Sequence, residues 1–187
     1  PHQSSAASDV YKRQVFSHLI KALGGEVRGL VIGAAALQIR LAKIFSAAGI
    51  AICEGYGLTE TSPVLTFNRF NAGGTILGTV GVPIPSVDIR IAEDGEILVK
   101  GPNVMKGYYK RPDLTAEVID EEEWLHTGDV GEWIKGRFLK ITDRKKEIFK
   151  ISTGRYVAPQ PIEKKFRESA YICLLYTSPS PRDMWTS

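Results

Sequence analysis

The apolar positions in the first third of the chain change period from one segment to the next. Val15 to Leu23 has the spacing of the last turns of a helix, and Gly24-Gly25 supplies a stop. Val27 to Ile32 then reads as a short apolar strand that ends in Gly33-Ala34-Ala35. Leu37, Leu41, Ile44, Phe45 and Ala48 return to helical spacing, with Gly49 as the stop. Ile50 to Cys53 is a second buried strand. The opening therefore predicts a β-α-β unit of a layered α/β domain.

After Pro63 the segments shorten and turn toward strands. Val64 to Phe67, Ile76 to Val80, Val87 to Ala92 and Ile97 to Lys100 are expected strands, with the hairpin signal Glu93-Asp94-Gly95-Glu96 between the last two. Leu114 to Ile119 predicts one or two helical turns, and Phe138 to Thr142 a further strand. The charged Asp143-Arg144-Lys145-Lys146 reads as a linker, after which Ile148 to Ile151 and Ile162 to Phe166 open another domain. The expected fold is α/β: the end of a layered α/β large domain with a strand-rich lobe, a hinge, and the start of a small α+β domain. Residues 15–143 make the first part, and 144–172 make the hinge and the small-domain start.

Composition narrows function more than fold. The 187 residues are 43% hydrophobic and 24% charged, and 24 basic against 21 acidic residues leave a net charge of +3 with no block of like charge. A nucleic-acid binder concentrates more basic charge than this. No apolar run approaches the roughly 20 residues needed to cross a bilayer. The histidines (His2, His18, His126) and cysteines (Cys53, Cys173) show neither metal-ligand spacing nor a disulfide framework. The expectation is a soluble chain of a reducing compartment, the cytoplasm.

Residues 1–14 and 173–187 differ in character from the rest. The head has no periodicity, and the tail is a Ser/Pro-rich coil. Asp9 to Gln14 can be written GAT GTG TAT AAG AGA CAG. The reverse complement, read one base along, encodes Cys173 to Thr177 and begins a serine codon. One inverted DNA repeat thus accounts for both ends, which read as translated sequencing adapter and are set aside from fold reasoning.

The chemistry concentrates in Glu54-Gly55-Tyr56-Gly57-Leu58-Thr59-Glu60-Thr61-Ser62-Pro63, where a strand runs into a loop with glycines, an aromatic ring, hydroxyls and a carboxylate. Glycine lets backbone approach a ligand closely. Hydroxyls and backbone N–H groups bind phosphate oxygens, and a carboxylate can hold Mg²⁺ against them. The same residues equally suit a polar turn with Glu60 in solvent.

Gly55 to Pro63 resembles the adenylate motif of the acyl-adenylate-forming superfamily of acyl-CoA synthetases, luciferases and peptide-synthetase adenylation domains. Further segments match in order: Gly95 to Gly101 with Met105 to Tyr109, Trp124 to Gly131 with its Thr-Gly-Asp, and Gly136 to Phe138 with Ile141 to Lys150. Asp143 to Lys150 followed by Tyr156 to Gln160 is most similar to the long-chain fatty acyl-CoA synthetases. Thr153 departs from the glycine usual at its turn.

The resemblance implies a ligase that joins a fatty acid to CoA with ATP and Mg²⁺, releasing AMP and pyrophosphate. It implies that Tyr56 stacks on adenine, that Gly57 belongs to the nucleotide loop, that Thr59 bonds the α-phosphate and that Glu60 ligates Mg²⁺. Gly33, Ala34 and Ala35 would lie along the base. Asp129 would accept the ribose hydroxyls, and Arg144 would add a ribose or phosphate contact. Lys146 would be the hinge and Lys150 a lysine at the second-step surface. The phosphate-cradling loop and the catalytic lysine of the superfamily are expected outside this sequence, so the chain reads as an internal piece, inactive alone. The basic residues from Arg144 to Lys150 leave a peripheral membrane contact open. Another adenylate-forming enzyme, such as a peptide-synthetase adenylation domain, and a non-catalytic nucleotide-binding relative are the competing readings.

Overall fold

A helix that must stop before a strand needs residues that accept positive φ, and Gly24 and Gly25 supply them at 90° and 84°. They end α1 (residues 14–22), and Gly25 N–H donates back to the Ile20 carbonyl at 2.9 Å. The computed structural model describes residues 14–33, 37–145, 149–150, 156–157, 162, 165–166 and 169. β1 (Gly29–Ile32) then pairs in parallel with β2 (Ala51–Gly57), Gly29 opposite Ala51 and Ile32 opposite Glu54. Parallel neighbours need a crossover, and α2 (Ile39–Ala47) lies within it. The predicted β-α-β unit is present, but its helix is less buried than its spacing suggested. Ala42 is the buried residue of α2, while Leu41 and Ile44 are 41% and 39% exposed.

β2 continues past the expected end at Cys53. Its far half is held by β3 (Val64–Phe67), with Gly55 opposite Phe67 and Tyr56 opposite Thr66, so the glycine segment read as loop is paired strand as far as Gly57. β4 (Val82–Pro83) completes a sheet of order β1-β2-β3-β4. The strand expected over Ile76 to Val80 is absent. Gly78 turns the chain at φ 83°, and the buried Asn68 amide donates to the Thr79 carbonyl at 2.6 Å in place of a ladder.

The second sheet is an antiparallel meander of β5 (Asp88–Ile91), β6 (Glu96–Lys100), β7 (Leu125–Ile134) and β8 (Phe138–Arg144). α3 (Pro112–Val118) lies between β6 and β7 in the chain. β7 had no counterpart among the expected strands. Asp143 and Arg144, read as linker, are the end of β8. β9 (Phe149–Lys150) pairs antiparallel with β10 (Tyr156–Val157). Among the described residues no helix is long and apolar enough to cross a membrane.

Tyr56, Leu65, Val87, Ile97, Val99 and Leu139 form one core drawn from both sheets. Backbone also joins the sheets: Val80 N–H donates to the Leu139 carbonyl and Leu139 N–H to the Gly81 carbonyl, both at 2.8 Å. Leu139→Ala empties a fully buried site at this junction. It is expected to destabilise the chain by about 2–5 kcal/mol, read as a lowered urea midpoint. An unchanged midpoint would show that the junction does not bear on stability.

Candidate functional site

The turn after β2 is shaped by Thr61, not by Thr59. Thr61 is fully buried, its hydroxyl donates to the Pro63 carbonyl at 2.6 Å, and it accepts Leu58 N–H at 2.9 Å. Thr59 and Glu60 share this single 3-10 turn, and the Thr59 side chain is exposed. The segment after β6 pins the turn from outside. Met105 N–H donates to the Glu60 carbonyl at 2.7 Å, and the Asn103 amide donates to the carbonyls of Thr61 and Val64. The Tyr108 hydroxyl donates to Glu60 Oε1 at 2.9 Å, which raises that phenol above its usual range. Sequence reasoning gave Tyr108 no role.

Asp129 sits on β7 and is 5% exposed. A buried carboxylate is costly unless it is hydrogen-bonded and paired. Here the Tyr56 hydroxyl donates to Oδ2 at 2.7 Å, and Arg144 Nε, on the neighbouring β8, lies 3.3 Å from Oδ1. Burial, and then the Asp129 charge, push the Tyr56 phenol far above its usual range, so it stays a donor. The Tyr56 ring belongs to the core and is 9% exposed. Little of its face is free.

Glu60, Asp129 and Arg144 line one cleft of about 730 Å³, together with Glu96, Tyr108 and His126. A second cleft, about 460 Å³, is lined by Arg69, Trp133 and Arg137 and holds none of the candidate catalytic, nucleotide or metal residues named from the sequence. Gly33 follows β1, and among the described residues an added Cβ there would approach the Gly55 carbonyl, at 4.0 Å. Gly57 is different: a Cβ there would fall 1.7 Å from the Pro63 carbonyl oxygen. Its glycine serves packing in the strand-to-turn junction. Ala34, Ala35 and Lys146 lie outside the described residues, and Lys150 is placed on β9. Cys53 is buried and free, and burial raises its thiol, which suits an inert packing residue.

His126, to which sequence reasoning gave no site role, stands on the cleft wall. Its Nδ1 is 3.1 Å from Glu96 Oε2 and its Nε2 is 3.5 Å from Asp120 Oδ2. Glu96 also had no expected role. Both lie inside segments that carry the resemblance, but the glycines and the Thr-Gly-Asp beside them are the more conspicuous features.

Residues 4–109 match the AMP-binding enzyme family, a span that includes residues 4–14 of the head. Over 188 residues the chain is 38% identical to the peroxisomal long chain acyl-CoA synthetase 6 of Arabidopsis thaliana, covering 91% of this chain and 26% of that protein. Over 179 residues it is 41% identical to long-chain-fatty-acid–CoA ligase 6 of Homo sapiens, covering 89% and 25%. The chain thus spans about a quarter of the length of these curated relatives. It is also similar to the crystal structure of ATP-bound MatB from Rhodopseudomonas palustris, with a TM-score of 0.70 and 32% identity over 78% of this chain and 31% of that one. The family match takes in more than half of the sequence and ends at Tyr109, past the β2 turn and the Glu60–Tyr108 contact, and on that ground the chain belongs to the AMP-binding enzyme family.

Proposed function

We propose that the chain is part of a longer AMP-forming long-chain fatty acid–CoA ligase and carries one wall of its nucleotide site. The observation that carries this reading is Asp129, a buried carboxylate on a cleft wall shared with Glu60 and Arg144. A carboxylate offers about four lone-pair positions. Tyr56 and Arg144 engage one oxygen each, which leaves room for two ribose hydroxyls. The names of the curated relatives support the fatty acid and the CoA, and the ATP-bound neighbour supports the nucleotide.

In the first half-reaction a fatty carboxylate oxygen bonds to the α-phosphorus of ATP as the bond to pyrophosphate breaks. In the second, the CoA sulfur bonds to the acyl carbon, the bond to AMP breaks, and the thiol proton passes to solvent. Holding the reactants in place carries much of such a rate gain. Asp129 would orient the ribose, Thr59 would bond the α-phosphate, and Arg144 would add charge beside them. Gly33, Ala34 and Ala35 would lie along the base, and Tyr56 would stack on it.

Among the described residues no group of three or more His, Cys, Asp or Glu is gathered to hold a metal. A single carboxylate fits Mg²⁺, which keeps several waters and takes its other ligands from phosphates. Glu60, with one oxygen held by Tyr108, would hold it, and the ion would neutralise phosphate charge. Lys146 would serve as the hinge between half-reactions, with Lys150 on the surface used in the second. The domain limits, 15–143 and 144–172, belong to the same proposal.

The test is the longer protein with ATP, Mg²⁺, palmitate and CoA. Palmitate-dependent ATP–pyrophosphate exchange and CoA-dependent AMP release are expected, while the 187-residue chain alone gives no turnover. Exchange driven by an amino acid and not by palmitate would overturn the fatty-acid reading. Turnover by the short chain would overturn the assignment of the missing catalytic parts.

A further inference from the structure

Glu96 opens β6 and is 4% exposed, yet it carries a charge. Its Oε1 accepts Gly128 N–H at 2.9 Å, and Lys145 Nζ donates to Oε2 at 2.7 Å. His126 lies against the same Oε2. Asp94, on the hairpin turn before β6, adds a second carboxylate 2.7 Å from Lys145 Nζ and accepts Glu96 N–H at 3.1 Å. Burial would push the Glu96 carboxyl up, but Lys145, His126 and the Gly128 N–H together hold it below the usual carboxylate range. A buried charge is retained only where its partners compensate its desolvation. Here the partners lie on two segments that matter to the cleft.

Gly128 directly precedes Asp129 and adopts φ 73°. The Asp129 N–H donates to the Thr127 hydroxyl at 3.2 Å, and that hydroxyl donates to the Ile97 carbonyl at 2.8 Å. The turn that presents Asp129 is therefore anchored on β6 twice, through Glu96 and through Ile97. Lys145, for its part, follows Arg144, whose guanidinium faces Asp129, and precedes Lys146. One carboxylate grips the turn before Asp129 and the chain just after Arg144. A neutral acceptor would satisfy Gly128; the charge is matched to Lys145.

We infer that Glu96 is a positioning residue of the nucleotide site, fixing Asp129 through Gly128 and holding the end of β8 through Lys145. This rests on the nucleotide reading above, and it adds that the ribose contact and the start of the linker are set by the same side chain. Glu96→Gln keeps an acceptor for Gly128 and loses the ionic hold on Lys145. Lys145→Met removes the cation from a half-exposed position and leaves Glu96 its contacts with His126 and the Gly128 N–H.

The experiment uses the longer protein and measures the ATP KM and kcat of palmitate-dependent pyrophosphate exchange, with hydrogen exchange over residues 126–129 and 144–146. Glu96→Gln is expected to raise the ATP KM about tenfold with kcat nearly unchanged, because a contact present in both ground and transition states is weakened. Hydrogen exchange at both segments should quicken. Lys145→Met should raise the KM less, by a few-fold, and quicken exchange at 144–146; this arm carries the test if Glu96→Gln does not fold. An unchanged KM and unchanged exchange in a folded variant would overturn the inference. Asp129→Ala separates the two failures: if it raises the ATP KM while Glu96→Gln does not, only the role of Glu96 falls, and if neither does, the nucleotide reading falls.

Discussion

Asp129→Ala in the longer protein is expected to raise the ATP KM of pyrophosphate exchange by about thirtyfold or more, a loss of about 2–5 kcal/mol if both ribose bonds go and water replaces them only in part. The structure adds a second effect to this one. Asp129 is also the acceptor for the buried Tyr56 hydroxyl at 2.7 Å, and its removal strands that hydroxyl beside the core. An unsatisfied buried donor costs about 1–3 kcal/mol, so the alanine variant should unfold at lower urea as well. Asp129→Asn separates the effects, since the amide oxygen still accepts from Tyr56 while the amide nitrogen cannot accept from a ribose. The asparagine variant should keep most of the stability and lose part of the ATP affinity. An unchanged ATP KM in the alanine variant would remove Asp129 from the site.

Gly57→Ala is expected to be strongly destabilising for a single added methyl group. The new Cβ would lie 1.7 Å from the Pro63 oxygen, 2.6 Å from its carbonyl carbon and 2.9 Å from Val64 Cα, all backbone atoms that cannot rotate away. The Pro63 carbonyl accepts both Leu58 N–H and the Thr61 hydroxyl, so displacing it opens the turn that carries Thr59 and Glu60. Overpacking costs about 1–3 kcal/mol and each lost hydrogen bond about 1 more. A total of roughly 3–5 kcal/mol is a large part of a stability of about 5–15 kcal/mol. Gly29→Ala is the contrast: its Cβ would meet at 2.7 Å the Phe70 ring, which is half-exposed and can swing aside, and its nearest backbone atom, the Ala51 oxygen, lies at 3.3 Å. Urea denaturation should show a much lower midpoint for Gly57→Ala and little change for Gly29→Ala. A parental midpoint for Gly57→Ala would mean that the turn relaxes without loss.

What could be read from the sequence depended on whether a signal was local. The β-α-β opening and the Asp94-Gly95 hairpin were legible, because alternating periods and a turn dipeptide are written in adjacent residues. β7 was not, since Gly128 with its positive φ and a register shift between Val130 and Gly131 interrupt its alternation. Gly55 and Gly57 pointed to a loop, yet cross-strand pairing with β3 overrode that local preference. Glu54 to Pro63 and the Thr-Gly-Asp could be singled out by resemblance, and two of those carboxylates, Glu60 and Asp129, share a cleft. Glu96 carried no comparable sign. Its environment is made by His126 and Lys145, 30 and 49 positions away, and a glutamate after a glycine turn looks like any solvated one until those partners are in place.

The Tyr56–Asp129 bond joins residues 73 positions apart and is shared between the two sheets. A cleft built on such a bond cannot exist in either sheet alone. It forms only after the costly loop closure that slows long-range pairing has been completed. A nucleotide that binds there finds no partial site in an unfolded or half-assembled chain. Its binding energy would therefore be added to the docking of one sheet on the other as RT ln(1 + [L]/Kd), about 2.7 kcal/mol at a hundredfold excess over Kd. On the proposed function, the nucleotide would in this way act as a clamp on the architecture, and its depletion would loosen the joint before it loosened either sheet.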